Sequence, residues 1–196
     1  MRKAGCRVET TTPLLPDLAF IGRLYTQLLM AFIGADMPGD AYRGMQAAAA
    51  AMPGSDTSLQ AMRLRGATMS HADWIKADRI RKGIEAQWRQ LFRAWDVVLC
   101  PVMPTTAFPH DHSEMRTRHI EVDGKPVPYS DQSMWPSVAT LTGLPATAMP
   151  IGRGPEGLPI GMQIIGPYLE DRTTIAFAEL FEREFGGFVA PPTLKT

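Results

Sequence analysis

Asp96-Val-Val-Leu-Cys-Pro101 is an apolar run held between an aspartate and a proline. Its two adjacent valines favour extended backbone, and the run does not alternate polar with apolar residues. Both features predict a short strand covered on both faces. Such a strand needs a layer on either side of its sheet, so this stretch decides for an α/β arrangement. Immediately upstream, Ser70-His-Ala-Asp73 has the spacing of a helix cap, with a hydroxyl at the N-cap and a carboxylate three residues on. It predicts a helix running to Ala94, with Ile80, Ile84, Trp88, Leu91 and Trp95 on the buried face. Lys76, Arg79, Lys82, Arg89 and Arg93 lie elsewhere on the wheel and alternate with Asp73, Asp78 and Glu85, the pattern of a solvated face rather than of an anion-binding one.

Downstream, Pro101, Pro104 and Pro109 open an excursion that lasts to Pro136. Within it, Asp123-Gly124 sits between alternating flanks in Ile120–Tyr129 and predicts a small hairpin. A short helix is expected from Ser137 to Thr142, ended by Gly143. Strands are expected at Ala146–Pro150 and Ile160–Ile165, joined by a turn from Gly152 to Pro159. Asp171 is expected to cap a last helix that buries Ile175, Ala178, Phe181 and Phe185 and stops at Gly186-Gly187. In the first third, Asp17–Ile33 places Leu18, Ile21, Tyr25, Leu28 and Phe32 on one helical face. Ala41–Met52, with its five alanines, predicts a second helix, and Pro53–Thr57 a loop. Arg2 and Lys3 before Gly5 resemble the last turn of a helix closed by a glycine, and Cys6-Arg-Val-Glu9 then reads as a strand.

Composition excludes several classes of function. Twenty Lys+Arg balance 20 Asp+Glu among 196 residues, so bulk charge gives no reason for nucleic-acid binding, and no nucleic-acid partner is expected. With 45% hydrophobic residues the chain has the means to build a core, and Cys6 and Cys100 are not needed as a disulfide framework. The longest apolar stretch, Leu18 to Ala35, contains Arg23 and Gln27, so no membrane association is expected. Met1 to Cys6 lacks an apolar segment between its basic residues and its cysteine, which makes the cytoplasm the expected compartment.

Catalytic constellations are not evident. The serines form neither a Gly-x-Ser-x-Gly elbow nor a Ser-x-x-Lys pair, and no lysine is placed as a base. Cys100 follows an apolar strand with no cationic activator nearby in sequence and reads as an inert buried thiol. His110, His112 and His119 are metal-ligand types, yet they stand on a proline-flanked loop without a helical pair, so neither a metal nor another cofactor is assigned.

The second half carries a resemblance. Asp96-Val-Val-Leu-Cys-Pro101 followed by Pro104, Leu141-Thr-Gly-Leu-Pro-Ala146 with Met149-Pro-Ile-Gly152, and Gly157-Leu-Pro-Ile-Gly-Met-Gln-Ile-Ile-Gly166 with Asp171 resemble the C-terminal region of the amidase signature family. More loosely, Leu64–Arg81 resembles the helix before the family's aspartate-led strand, and Gly5–Glu9 with Pro13 and Pro16 its mid-chain strand-to-helix passage. Thr140 stands where the family often has asparagine. The resemblance implies a partial amidase-signature fold, the later strands of a mixed sheet with covering helices. It also implies hydrolysis of carboxamide C–N bonds through a serine, a second serine in a cis peptide and a lysine. Nothing here matches the glycine- and serine-rich stretch that bears those residues, so no catalytic residue is assigned.

The resemblance nominates Met103, Pro104 and Trp135 as substrate-pocket wall, with Trp135 read either as wall or as core packing. The expected organisation is a single C-terminal amidase part over 1–196: a helix-rich lead-in over 1–69, a long helix and strand over 70–100, a loop with a hairpin over 101–136, and strands with a final helix over 137–190. The expectation is a C-terminal fragment of an amidase-signature hydrolase, inactive alone, taking a small amide substrate only when a complementary N-terminal chain supplies the rest. The alternative is a non-catalytic binding or scaffold protein derived from an amidase. A metal-dependent hydrolase built on the three histidines is a third reading.

Overall fold

A computed structural model describes residues 1–190. Its helices are α1 (Leu18–Gly34), α2 (Gly39–Ala51), α3 (Leu59–Ala67), α4 (His71–Leu91), α5 (Met134–Thr140) and α6 (Asp171–Phe185). Its strands are β1 (Val98–Pro101), β2 (His119–Val122), β3 (Lys125–Pro128), β4 (Ala146–Arg153) and β5 (Pro159–Ile165). β1, β5 and β4 form a three-stranded sheet in that spatial order, while β2 and β3 pair as a separate hairpin. All these pairings are antiparallel, so the parallel member that a mixed sheet requires is not among the described residues.

The sheet is covered on both sides, as the unalternating Asp96–Pro101 run requires. Val98, Cys100 and Ile165 face the larger core, where Ile21 and Leu24 of α1 meet Ile84, Trp88 and Leu91 of α4 and Val138 and Ala139 of α5. Leu99, Met149, Met162 and Ile164 face the other way, onto Phe177, Ala178 and Phe181 of α6. Successive residues of a strand point to opposite faces, so one short apolar run serves two cores. Helix, sheet and helix therefore stack as an α/β layer structure.

Local chemistry accounts for the element ends. Asp17 Oδ1 accepts from the Phe20 N–H at 2.9 Å and Ser70 Oγ from the Asp73 N–H at 3.1 Å, each meeting a donor left free at a helix start. The hairpin turns on Asp123 and Gly124 at φ 50° and 73°, the paired left-handed conformation that suits a two-residue connection between twisted strands. Pro136 fits inside α5 because the first turn of a helix has no use for its missing N–H.

Several expectations from sequence are corrected. Cys6–Glu9 is irregular and not a strand, because no neighbour among the described residues offers it a ladder; Arg2 Nη2 instead donates to the Val8 carbonyl at 2.7 Å. The expected helix end at Arg2–Lys3 is a single 3-10 turn over Arg2–Ala4, with Gly5 left-handed at φ 83°. Leu64–Arg81, which resembles one helix of the family, is split between the end of α3 and the first half of α4, and periodicity gave no expectation of α3 itself. α4 stops at Leu91 rather than Ala94, since the N–H groups of Arg93 and Ala94 bond only three residues back and the chain tightens into turns. α5 begins three residues earlier than expected, and β4 runs on to Arg153 through an irregularity between Pro150 and Gly152.

Burial is also corrected. Phe32 of α1 is 78% exposed, and on α6 Thr174 is buried while Ile175 and Phe185 are half exposed. Asp171 is the first residue of α6 and not its cap; Glu170 holds the cap position without a side-chain bond. Ile80 lies outside the α4 core face, which uses Ala77 in its place, and lines an open groove with Phe20, Leu24, Met62 and Met69.

Candidate functional site

β1 ends at a proline, and Pro101 and Pro104 bracket the segment that follows, so the chain leaves the sheet as an irregular wall rather than as further strand. That wall, Val102 to Ala107, faces Ile151 of β4 and Pro159, Ile160 and Gly161 of β5 across a cleft of about 660 Å³. Gly161 forms part of the lining, and a Cβ there would come into ordinary contact with Val102 Cγ2 at 3.4 Å and the Met149 carbonyl at 3.6 Å. Met103 and Pro104 both line the cleft, as do Ile151 and Ile160, which sequence reasoning did not single out. The signal for those two was available only as apolar residues flanking the Gly152–Pro159 turn, Ile160 opening an expected strand and Ile151 falling between the expected strand and the turn.

Trp135 stands elsewhere. Its side chain is partly buried against the larger core, and it is not among the residues lining the cleft. It is joined to the cleft through Gln163, a residue the sequence reading also passed over. Gln163 of β5 is buried, and its Nε2 donates to the Pro101 carbonyl at 2.9 Å and to the Trp135 carbonyl at 3.0 Å.

The lining contains no charged side chain, no serine and no histidine, so its chemistry is that of a site for an uncharged, largely apolar group. Cys100 is its one thiol. Burial pushes that thiol up to about 11, with the neighbouring Gln163 amide pulling slightly the other way, so it stays protonated and weakly nucleophilic near neutral pH. The hydroxyls of Thr105 and Thr106 have no base beside them in the lining; Thr105 Oγ1 donates to the Thr106 carbonyl at 3.0 Å.

The histidines do not assemble a metal centre. His110 and His112 stack with ring centroids 6.1 Å apart, and His119 Nδ1 lies 2.9 Å from the Thr117 carbonyl. Among the described residues no group of three or more His, Cys, Asp or Glu side chains is placed to hold a metal ion. Among the same residues no helix is long and apolar enough to cross a membrane.

Comparison with known proteins adds to this geometry. The family model described as Amidase matches residues 1–175. Among curated proteins, the A subunit of glutamyl-tRNA(Gln) amidotransferase from an Exiguobacterium species is 34% identical over 120 residues, 61% of this chain and 23% of that relative. The protein of the same name from Prochlorococcus marinus is 36% identical over 115 residues, 59% of this chain and 22% of that relative. The match thus spans about a quarter of these relatives' length. Among solved structures, an amidase superposes with TM-score 0.59 at 23% identity, covering 86% of this chain and 36% of that one. A structure described as a vestigial protein complex bearing on the origins of an s-triazine catabolic enzyme gives 0.61 at 22% identity, over 90% and 36%. 6-Aminohexanoate cyclic dimer hydrolase gives 0.59 at 20% identity, over 100% of this chain and 41% of that one. These likenesses in structure establish the shared fold.

Proposed function

This chain belongs to the amidase family, and from that premise we propose that it is the C-terminal part of an amidase-signature hydrolase acting on carboxamide C–N bonds. The observation that carries the reading is the cleft at the end of β1: a preformed apolar wall that includes Met103 and Pro104 and holds neither serine nor lysine. It offers binding surface without the means of attack. Hydrolysis of an amide needs a nucleophile, a base that takes its proton and donors for the developing oxyanion, and a binding wall alone supplies none of these. A complementary N-terminal polypeptide would bring them to the open side of the cleft. The same reading makes 1–196 one unit, needs no cofactor and expects a cytoplasmic setting. Trp135 belongs to it as a support of the wall rather than as a surface that touches substrate.

The test is ammonia release from a simple carboxamide. We expect none from this chain alone, and measurable release with a stable complex when an N-terminal amidase segment carrying the serine, cis-serine and lysine is co-expressed. Hydrolysis by the isolated chain would overturn its expected silence. Failure to form a complex, together with tight binding of an amide by the chain alone, would favour the alternative of a non-catalytic binding or scaffold protein.

A further inference from the structure

Gln163 occupies the middle of the central strand, opposite Cys100 on one side and Ala148 on the other. Its side chain is buried at 6% residue exposure, a costly position for a primary amide unless its hydrogens are satisfied. Both are placed on carbonyl oxygens, that of Pro101 at 2.9 Å and that of Trp135 at 3.0 Å. These acceptors belong to different parts of the molecule. Pro101 is the last residue of β1 and the hinge from which the Val102–Ala107 wall departs; Trp135 lies in the first turn of α5, whose Val138 and Ala139 are in the larger core. One NH₂ group therefore spans sheet, wall and helix.

We propose that Gln163 is a positioning residue, whose amide clamps the Pro101 and Trp135 carbonyls together and thereby holds the Met103–Pro104 wall at the spacing the cleft needs to take an amide. The inference rests on the reading of the cleft as an amide pocket. A primary amide suits this task because it presents two donors from one atom in a fixed plane. Methionine matches its length but donates nothing. A glutamate matches its shape, but ionised it turns only acceptor lone pairs toward the two carbonyl oxygens and protonated it can donate to only one of them. The clamp also gives Trp135 a part in the pocket although its ring does not line it.

The first measurement needs no variant. In the wild-type chain, hydrogen exchange of the Gln163 side-chain NH₂ followed by NMR should be at least tenfold slower than that of a solvent-exposed glutamine. Exchange at the exposed rate overturns the clamp. The second measurement uses Q163M and Q163E, each in complex with the co-expressed N-terminal amidase segment and read by the Met103 methyl and Trp135 indole resonances of the folded protein, with benzamide as an uncharged carboxamide probe. We expect both resonances to move together in both variants and benzamide binding to weaken at least fivefold. A role limited to stability would lower the unfolding midpoint and leave the folded-state resonances and benzamide affinity unchanged, and that result overturns the proposal. If benzamide leaves the wild-type Met103 methyl unmoved while the variants displace Met103 and Trp135 together, the pocket reading falls and the clamp stands.

Discussion

Gly66 of α3 lies so close to the main chain of Gln27 on α1 that a methyl group on its Cα would overlap the Gln27 carbonyl oxygen. Gly34, at the other end of the same crossing, meets the backbone of Ala67 in the same way. The two helices thus touch backbone to backbone, each contact needing a glycine on one side. G66A is expected to destabilise the fold by about 1–3 kcal/mol, because a clash with backbone has no flexible side chain to absorb it. The helix propensity gained by alanine, about 1 kcal/mol, opposes this and loses. Gly83 of α4 has nothing within 4 Å of where its Cβ would stand, so G83A should stabilise by about 0.5–1 kcal/mol. Urea unfolding of the two variants checks the opposite signs; a stabilised G66A would refute the close crossing.

Thr147 of β4 donates its hydroxyl to Thr174 Oγ1 at 2.8 Å, and Thr174 passes its own to the Asp171 carbonyl at 2.8 Å, fastening α6 to the sheet. Thr174 is 1% exposed, so its hydroxyl has no water to fall back on. T174V should cost about 1–2 kcal/mol, more than a surface hydroxyl would, since the Asp171 carbonyl and the partly buried Thr147 hydroxyl both lose a partner. A double-mutant cycle with T147V should return a coupling of about 1 kcal/mol, and strict additivity would exclude the bond as a source of stability.

Much of this was legible in sequence, and the failures share a physical cause. Asp96–Pro101 announced a strand covered on both faces because an unalternating apolar run can satisfy both of its sides only by burial, and Asp123-Gly124 announced its turn by backbone conformation. α3 was passed over because Leu59-Gln-Ala-Met-Arg-Leu-Arg-Gly-Ala67 has no apolar stripe. It is held by close approach to α1 at Gly66 and by the ion pair of Arg63 with Asp131, neither of which leaves a periodic signature. Ile80, Phe32 and Ile175 continue apolar rows past the point where a neighbour exists to cover them. Met103 and Pro104, which line the cleft, were nominated by the family resemblance alone, whereas Gln163 was quoted within a strand motif and given no role. Only the fold shows two carbonyls converging on it, from residues 62 and 28 positions away.

Cys100 should resist alkylation. With its thiol near 11 instead of the reference 9.0, the thiolate fraction at pH 8 is about one in a thousand rather than about one in ten. Iodoacetamide mapped by mass spectrometry should therefore mark exposed Cys6 first, with Cys100 labelled only slowly until the chain is unfolded in urea. The raised value also sets a sign for stability. The folded state keeps a proton that the unfolded chain gives up first, so this contribution is complete below the unfolded thiol value and drains away as pH rises through the folded one. Equal labelling of the two cysteines in native protein would contradict this burial.

Glu85 provides the corresponding acid-side test. It lies on the largely buried side of α4, and its carboxylate accepts from Lys82 Nζ at 2.9 Å and Arg89 Nη2 at 2.8 Å. The Lys82 hydrogen bond, aided by the charges of Lys82, Arg89 and Arg81, holds the carboxyl below its ordinary value even though desolvation pulls the other way. A lowered acid contributes stability above its unfolded value, about 4.3, and that stability is lost as pH falls through the folded value. Glu85→Gln should therefore be less stable than wild type at pH 7, and the gap should close as the pH is taken down to 3. Urea midpoints measured along that range decide the matter. Parallel curves would mean that Lys82 and Arg89 do not favour the charged form of Glu85 in solution, and the acid sensitivity of the fold would then have to come from another carboxylate.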